Sequence, residues 1–399
     1  MKFKYKAITS SGQKIEGVFN AASEEDVVTM IKGNSYLPVK VERDIGQEAQ
    51  IEIFKSKVKK KDLALFCRQF FTMLDSGLGI VKCLDILEMQ TENKTLKPII
   101  GEVNGDVQKG LSLSEAMNKY PDIFPTILTN MVEAGEVSGN LDAILERMAV
   151  HFEKENKLEN KIRSSMVYPI ALLVVSIAVV IFMITFILPT FTGMFAGSGV
   201  EIPWPTRVLL GMSDFIKSYW YILLGILGLM TFTITTFKKS EAGRAFFDGL
   251  KLKLPVIKGT TVKIITSRFT RTLSTLMDSG IPLIKSMEVV AKVVNNLPVE
   301  EKIEDGIEEI RKGVPLSRAI QNVGVFPPMV DSMIRIGEES GSLDEVLLKT
   351  ADFYDEEVET SLTKLTTLIE PIMIVGMAIV IGFIVIAMYL PMFDMMKTI

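Results

Sequence analysis

Three stretches of the chain lack any charged side chain over about the length that crosses a bilayer. The first runs from Pro169 to Pro189, inside a charge-free interval between Arg163 and Glu201. The second runs from Tyr219 to Phe237, between Lys217 and Lys238. The third runs from Pro371 to Pro391, between Glu370 and Asp394. A helix of ~20 residues rises ~30 Å, the thickness of the hydrocarbon core, so each stretch predicts a transmembrane helix. The spans are read as 168–189, 219–237 and 368–391.

The polar regions between them have a helical period. After Gly139 the apolar positions are Leu141, Ile144, Leu145, Met148 and Phe152, and after Gly341 they are Leu343, Val346, Leu347, Thr350 and Tyr354. This i, i+3, i+4, i+7 spacing is the stripe of an amphipathic helix. Asp75-Ser76-Gly77 and Asp278-Ser279-Gly280 read as helix stops, because glycine accepts the left-handed conformation at a helix end. Phe124-Pro125 and Phe326-Pro327 read as helix starts, since proline fits the first turn.

These signals come in pairs because the chain is written twice. Residues 66–87 (FCRQFFTMLDSGLGIVKCLDIL) align with 269–290 (FTRTLSTLMDSGIPLIKSMEVV) at an offset of 203. Lys109, Gly110 and Ser114 match Lys312, Gly313 and Ser317 at the same offset. After one deletion the offset is 202, and Met131, Gly135, Glu136, Ser138, Gly139, Leu141 and Asp142 match Met333, Gly337, Glu338, Ser340, Gly341, Leu343 and Asp344. The match continues into the membrane, where Pro169 and Leu188-Pro189 correspond to Pro371 and Leu390-Pro391. A self-similarity this long means two copies of one structural unit.

The expected fold is mainly α and membrane-embedded. Two homologous cytoplasmic helical-bundle modules, 62–167 and 238–367, each of about six helices, feed spans 168–189 and 368–391. Span 219–237 has no counterpart and returns the chain across the bilayer. The last helix of each module is expected to run into the membrane unbroken, with a bend at Pro169 or Pro371 as the alternative. Residues 190–218 read as an outer loop and 392–399 as an outer tail. Residues 1–42 differ in texture. Phe3, Tyr5 and Ala7 alternate with lysines, Ser11-Gly12 makes a turn, Ile15, Gly17 and Phe19 make a second strand, and a helix starts at Ser23 and ends at Gly33. With Val39 and Val41 in a closing strand, this is a small ββαβ α+β domain, followed by a basic linker, 43–61.

Lysine and arginine set the orientation. Lys154, Lys157, Lys161 and Arg163 precede the first span and Lys238, Lys239, Arg244, Lys251 and Lys253 follow the second, whereas 190–218 holds only Arg207 and Lys217. The positive-inside rule then puts both modules in the cytoplasm and the carboxyl terminus outside. The opening Met-Lys-Phe-Lys-Tyr-Lys has no apolar run, so no cleavable signal is expected and the amino terminus is read as cytoplasmic. Trp204, Tyr219, Trp220 and Tyr221 fall near the outer interface, where amphipathic rings settle. The run Lys55, Lys57, Lys59, Lys60 and Lys61 reads as a solvated linker and helix start, with contact to anionic lipid as the alternative.

Composition removes several function classes. The net charge is −4, from 44 basic and 48 acidic residues, which gives no electrostatic footprint for nucleic acid. Cys67 and Cys83 fit no zinc or redox spacing and read as buried apolar fillers in a reducing compartment. No Gly-x4-Gly-Lys-Ser/Thr loop is present, so ATP hydrolysis by the P-loop route is not expected. The single histidine, His151, has no metal-binding partner, and Gly197-Ser198-Gly199 lacks the spacing of a nucleophile elbow. No catalytic, metal or cofactor site is therefore assigned. Carboxylates gather at Glu133, Glu136, Glu338, Glu339, Asp344, Asp352, Asp355, Glu356 and Glu357, which read as solvated faces or salt bridges to partner subunits rather than a cation site. The charge-free stretches 169–189, 219–237 and 371–391 hold no Asp, Glu, Lys, Arg or His, which opposes a transporter. The short 190–218 segment opposes a receptor with an outer ligand domain, the different-class alternative to a scaffold.

The site residues singled out are Gly135, Glu136, Ser138, Gly139, Gly337, Glu338, Ser340 and Gly341. They read as turns fixing the angle between two helices, with the glycines relaxing the backbone and the serine capping the next helix. Glu136 and Glu338 are the members expected to meet a partner.

The duplicated Met-x3-Gly-Glu-x-Ser-Gly-x-Leu-Asp motif at 131–142 and 333–344 resembles the type II secretion F / PilC family of inner-membrane platform proteins. So do Lys161-Ile162, Tyr168-Pro169 and Leu188-Pro189 at the first span, and the start at Phe3, Tyr5, Ala7, Gly12 and Gly17. In the second copy Glu370 stands where the first has Tyr168. The resemblance implies a non-enzymatic platform in a bacterial inner membrane, beneath a type IV pilus or the pseudopilus of a type II secretion system. It implies as partners a hexameric cytoplasmic assembly ATPase, pilin or pseudopilin transmembrane helices, other membrane proteins of the assembly machine, and further copies of the chain. No cofactor is implied.

Overall fold

A computed structural model describes residues 2–8, 14–20, 24–33, 36–43, 57–193 and 203–398. The expected turn at Ser11-Gly12, the helix start at Ser23, Lys55 and Gly197-Ser198-Gly199 lie outside the described residues. The chain divides into a small amino-terminal unit and a large helical unit that begins at Lys59.

The small unit is the expected ββαβ arrangement. Strands β1 (Lys2–Ile8), β2 (Lys14–Asn20) and β3 (Leu37–Arg43) form one antiparallel sheet in the order β2-β1-β3. Helix α1 (Glu24–Gly33) supplies Val27 and Ile31 to a core with Ala7, and Ile15, Met30 and Tyr36 pack around it.

The large unit contains the repeat. The first copy comprises α2 (Lys60–Asp75), α3 (Ile80–Gln90), α4 (Leu96–Gln108), α5 (Leu113–Asn118), α6 (Thr126–Ser138) and α7 (Leu141–Phe182). The second comprises α11 (Pro255–Asp278), α12 (Leu283–Val293), α13 (Leu297–Arg311), α14 (Leu316–Val323), α15 (Pro328–Ser340) and α16 (Leu343–Thr398). Leu141, Ile144, Leu145, Met148 and Phe152 are all buried, as their spacing predicts. In each copy the phenylalanine that opens the repeat meets the one before the helix-starting proline. Phe66 and Phe124 lie 5.8 Å apart between ring centroids, and Phe269 and Phe326 lie 4.6 Å apart. Cys67 and Cys83 are fully buried thiols among these side chains. Burial pushes the Cys67 thiol far up and also raises Cys83, which leaves both as apolar fillers rather than reactive groups.

Both module-ending helices run on into the apolar stretches. Helix α7 continues through Pro169 for 42 residues, and α16 continues through Pro371 and Pro391 for 56. The α7 ladder loosens into a π-helical turn at Met183–Ile187 ahead of Pro189, which begins α8 (Leu188–Gly193) at its second position. Together with α9 (Trp204–Lys239), these are the three helices among the described residues that are long and apolar enough to cross a membrane.

Two expectations change here. Residues 190–218 are not mainly loop: α8 extends to Gly193, and α9 starts at Trp204 behind the N-capping Pro203. A stripe of Thr206, Leu209, Leu210 and Ser213 gives this segment a packing face, and Leu209 joins Ile184, Leu188, Ile384, Ala387 and Met388 in one apolar cluster. The Thr206 hydroxyl also donates to the carbonyl of Ala387. The kink falls at Tyr219, where the expected span begins, with φ −121° and ψ 19°. The stretch 392–398 is not a separate tail but the end of α16. A further helix, α10 (Glu241–Lys253), links α9 to the second copy.

Candidate functional site

The Gly-Glu-x-Ser-Gly segments form one corner, built twice. Gly139 and Gly341 end α6 and α15 with φ of +74° and +70°, a conformation that costs a residue with a Cβ more than glycine. Four residues earlier, Gly135 and Gly337 lie where the next helix crosses. A Cβ on Gly135 would sit 3.1 Å from Leu141 Cα, and one on Gly337 would sit 2.9 Å from Leu343 Cα. The two glycines therefore set both the turn and the closeness of the helix that enters the membrane.

The glutamate of the corner reaches back to the preceding short helix. Glu136 Oε1 accepts from the Leu113 amide at 2.5 Å, while its Oε2 accepts from the Ser114 amide at 3.0 Å and the Ser114 hydroxyl at 2.5 Å. Glu338 repeats this with Leu316 (2.6 Å), Ser317 N (3.2 Å) and Ser317 Oγ (2.6 Å). Amides in the first turn of a helix have no partner within that helix, and a carboxylate there also meets the positive end of the helix dipole. Both carboxylates on which the sequence suggests a partner contact are thus engaged inside their own module.

The serines behave otherwise than expected. Ser138 Oγ donates to the Gly135 carbonyl at 3.4 Å, and Ser340 Oγ donates to the Ile336 carbonyl at 2.7 Å. Each serine is the last residue of its helix, and its hydroxyl turns back onto its own last turn; Ser340 Oγ also shares a 2.7 Å hydrogen bond with Ser342 Oγ, the residue before α16.

Each module is also clamped between its first and last helices. Arg68 of α2 holds Glu153 of α7, with Nε and Nη2 donating to Oε1 at 3.1 and 3.0 Å. Its counterpart Arg271 holds Asp355 at 2.6 Å and Asp352 at 2.8 Å. Lys60 pairs with Glu155 at 3.1 Å, and its counterpart Lys263 pairs with Glu357 at 2.6 Å. The arginines occupy the third position of each quoted repeat, FCR and FTR, so their duplication is visible in the sequence; their partners are not, being 85 and 84 residues away. The acidic gathering around 352–357 is largely the second copy's set of clamp partners.

Between the modules the contacts are of another kind. Arg147 of α7 donates to the Asp278 carbonyl at 2.6 Å and to Ser279 Oγ at 3.1 Å. Lys285 reaches Glu133 at 2.9 Å and Lys154 reaches Asp352 at 3.3 Å, while Lys161 pairs with Glu359. Arg268 approaches Glu155 at 3.7 Å and Glu159 at 3.9 Å. Two of these pairs, Lys154–Asp352 and Lys161–Glu359, lie in an open cleft of about 760 Å³ that is also lined by Lys157 and Glu356. Where the two copies enter the bilayer, the Tyr168 hydroxyl donates to Glu370 Oε1 at 3.2 Å. These are corresponding positions of the repeat at the offset of 202, so a departure of the second copy from the motif falls at a contact between the copies.

A profile described as "Type II secretion system (T2SS), protein F" matches the chain twice, over residues 66–189 and 269–391. A second, "Type II secretion system protein F, N-terminal domain", matches residues 1–42. The chain belongs to the type II secretion F / PilC family. Its relatives include "Type IV pilus assembly protein PilC" of Thermus thermophilus, 37% identical over 99% of this chain and 98% of the relative. They include the protein of the same name from Myxococcus xanthus, 36% identical over 99% and 95%. "Type II secretion system protein F" of Vibrio cholerae is 32% identical over 98% of each. The two matched segments of the F/PilC repeat begin at Phe66 and Phe269 and end at Pro189 and Pro391, the limits of the duplication read from the sequence. Helices α9 and α10 belong to neither segment of the F/PilC repeat.

Proposed function

We propose that the chain is a non-enzymatic inner-membrane platform for type IV pilus assembly, coupling a cytoplasmic assembly ATPase to insertion of pilin subunits into the fibre. The observation that carries this reading is mechanical: in each copy the helix that closes the module is the helix that enters the membrane, with no break between Leu141 and Phe182 or between Leu343 and Thr398. A displacement imposed on a clamped module is handed to its span without a flexible joint. The excess of lysine and arginine beside the module ends of the spans supports a cytoplasmic amino terminus, cytoplasmic modules and an outward carboxyl terminus. The exposed apolar faces of α7, α9 and α16 offer surfaces to lipid-embedded helices such as those of pilins. The Gly-Glu-x-Ser-Gly corners are assigned the shaping of each module.

A secretion platform is the second reading, and identity favours the pilus. Four relatives named for pilus assembly are 32–37% identical, against 28–33% for four named protein F. The test is affinity purification of the tagged chain from native membranes in mild detergent, with mass spectrometry of what accompanies it. Recovery of a hexameric assembly ATPase with pilins is the expected result, and pseudopilins in their place would move the assignment to secretion. Repeated recovery of a signalling kinase or a solute-binding protein, with neither of those, would sink the platform reading.

A further inference from the structure

Helix α10 and the first turn of α11 expose apolar side chains next to a cluster of basic ones, directly after a membrane span. Phe246 and Val256 are 60% and 63% exposed, and Leu250, Leu254 and Ile257 are exposed beside them. Phe246, Leu250 and Leu254 follow one another at four-residue spacing along one face. The opposite face of α10 is docked. Asp248 is buried against the start of α13, where its Oδ2 accepts from the Leu297 amide at 3.4 Å and its carbonyl accepts from Asn296 Nδ2 at 3.4 Å. Arg244, on that same side, lies 4.0 Å from Glu300. The exposed stripe is therefore not a core face left open by chance; the helix has a core face and uses it.

Charge follows the same division. From Lys238 to Lys258 there are six basic and two acidic residues. Asp248 is bonded to Lys251 at 2.8 Å and Glu241 opens the helix, while Lys253 and Lys258 are exposed and have no ion pair among the described residues.

Two independent observations put this stripe at the membrane surface. The corner from α9 into α10 is fixed: Ser240 caps α10 by accepting from the Gly243 amide, Phe237 meets Phe247 edge to face, and Lys238 lies over the Phe247 ring. The stripe thus begins within two turns of the end of a span. At its other end, α11 runs antiparallel to α16, with Ser274 bonded to the Asp344 carbonyl and Lys263 bonded to Glu357 and Ser361. Val256 lies seven residues before Lys263, about 10 Å further along at helical rise, which brings it level with the stretch from Leu362 to Leu368, ahead of Pro371 where α16 becomes apolar. An amphipathic basic helix in the plane of the interface inserts its apolar stripe among the acyl chains and its lysines among anionic headgroups.

We propose that α10 and the start of α11 form an interfacial anchor that docks on anionic phospholipid, on the face of the bilayer from which the helical modules hang. The anchor seats the second module against the membrane, a contact that α9 and α10 contribute from outside the repeat.

The test uses the whole chain reconstituted in phosphatidylcholine bilayers with and without phosphatidylglycerol. Because Cys67 and Cys83 are fully buried, a spin label goes to an introduced cysteine. Phe246→Cys, Leu250→Cys and Val256→Cys are compared with Val137→Cys, which is 87% exposed on the first module and serves as the water-facing reference. In bilayers containing phosphatidylglycerol, the three labels are expected to collide readily with oxygen and several-fold less often than the reference with a water-soluble nickel chelate. Replacing Lys253 and Lys258 by Gln should weaken immersion by roughly 25-fold, at about a factor of five per neutralised lysine. Free access of the nickel chelate at 246, 250 and 256 would overturn the proposal. Shielding from both reagents, as under a second copy or another protein, would overturn it as well. Immersion unchanged by removing phosphatidylglycerol and by the double variant would overturn the anionic-lipid assignment.

Discussion

The interior of each module and the seam between the modules are joined by different physics. Inside a module the first and last helices close over a buried core containing Phe66, Phe70, Phe124 and Phe152, or Phe269 and Leu273 in the second copy. Two basic residues, Lys60 and Arg68 or Lys263 and Arg271, fasten the same two helices. Across the seam the ion pairs Lys154–Asp352, Lys161–Glu359 and Lys285–Glu133 are exposed, the first two in an open cleft, whereas the longer Arg268–Glu155 approach is shielded. Close-packed interiors resist deformation, while polar interfaces between folded units permit relative motion. If the seam yields, the modules are two stiff levers on an adjustable joint, each lever continued by an apolar helix.

The largest effect expected is on coupling. A flexible Gly-Ser insertion beside Arg163 interrupts α7 between the module and the apolar stretch. On the proposed platform function it should abolish fibre growth, scored by surface pili, while an assembly ATPase still co-purifies. Unimpaired growth would mean that the unbroken helix is not the transmitting element. Next comes the core. Phe269→Ala empties a fully buried site in contact with Phe326 and should cost about 3–5 kcal/mol, read as a large fall in thermal unfolding temperature in detergent. A variant that melts like the parent would contradict the closed interior.

How much of this could be read beforehand depended on sequence distance. The spans, the duplicated corners and the stripe at Leu141, Ile144, Leu145, Met148 and Phe152 are local patterns, and they reappear as helices, turns and core. The clamps are long-range, and a lone arginine in FCR or FTR does not announce Glu153 or Asp355. The corner was half legible. Glycine's tolerance of positive φ is intrinsic to its missing Cβ, so Gly139 and Gly341 were readable. The role of Glu136 depended on where α5 would point its free amides, which no spacing rule contains. The serines misled because a hydroxyl at a helix end can turn forward or back. The stripe of Thr206, Leu209, Leu210 and Ser213 is interrupted by its own polar members, so the segment reads as a loop although it is a packed helix.

The corner glutamates test whether the module interior depends on its polar bonds as well as its core. Glu338→Ala leaves the Leu316 and Ser317 amides without their acceptor, and a partly buried unmet donor costs about 1–3 kcal/mol. Glu136→Ala should cost a similar amount in the first copy. Glu338→Gln, which retains an acceptor oxygen, should lose less. If both substitutions at 338 left thermal stability untouched, these bonds would not be holding the corner.

Acid provides a smaller, graded probe. Burial lowers the His151 pKa to about 4, with Lys60 and Arg271 adding to the shift and Glu155 opposing it. The unfolded chain, with an ordinary value near 6.5, takes up that proton first. Stability is therefore complete above about pH 6.5 and declines as pH falls toward 4, by roughly 2 kcal/mol between pH 7 and pH 5. Burial pushes Glu155 up, but Lys60, His151 and Arg268 together hold it below its usual range, so its contribution is also lost on acidification. Unfolding temperatures at the two pH values should diverge in the parent and converge in His151→Gln. An equal fall in both proteins would clear His151 of the effect.

The smallest effect should lie in the seam, where smallness is itself the expected sign of an adjustable joint. Lys285 and Glu133 face each other across the modules at 2.9 Å with side chains 45% and 51% exposed. Water at such a site competes for both charges, and ordering two flexible side chains consumes much of the attraction. A double-mutant cycle with Lys285→Ala and Glu133→Ala should return a coupling below about 1 kcal/mol, diminishing further in high salt. The same cycle on Arg271 and Asp355 inside the second module, where the arginine is 8% exposed, should give a larger value that resists salt, because the pair is shielded from counterions. Equal couplings, equally screened, would erase the distinction between lever and joint. A strong, salt-resistant coupling at Lys285 and Glu133 would mean that the two modules move as one body.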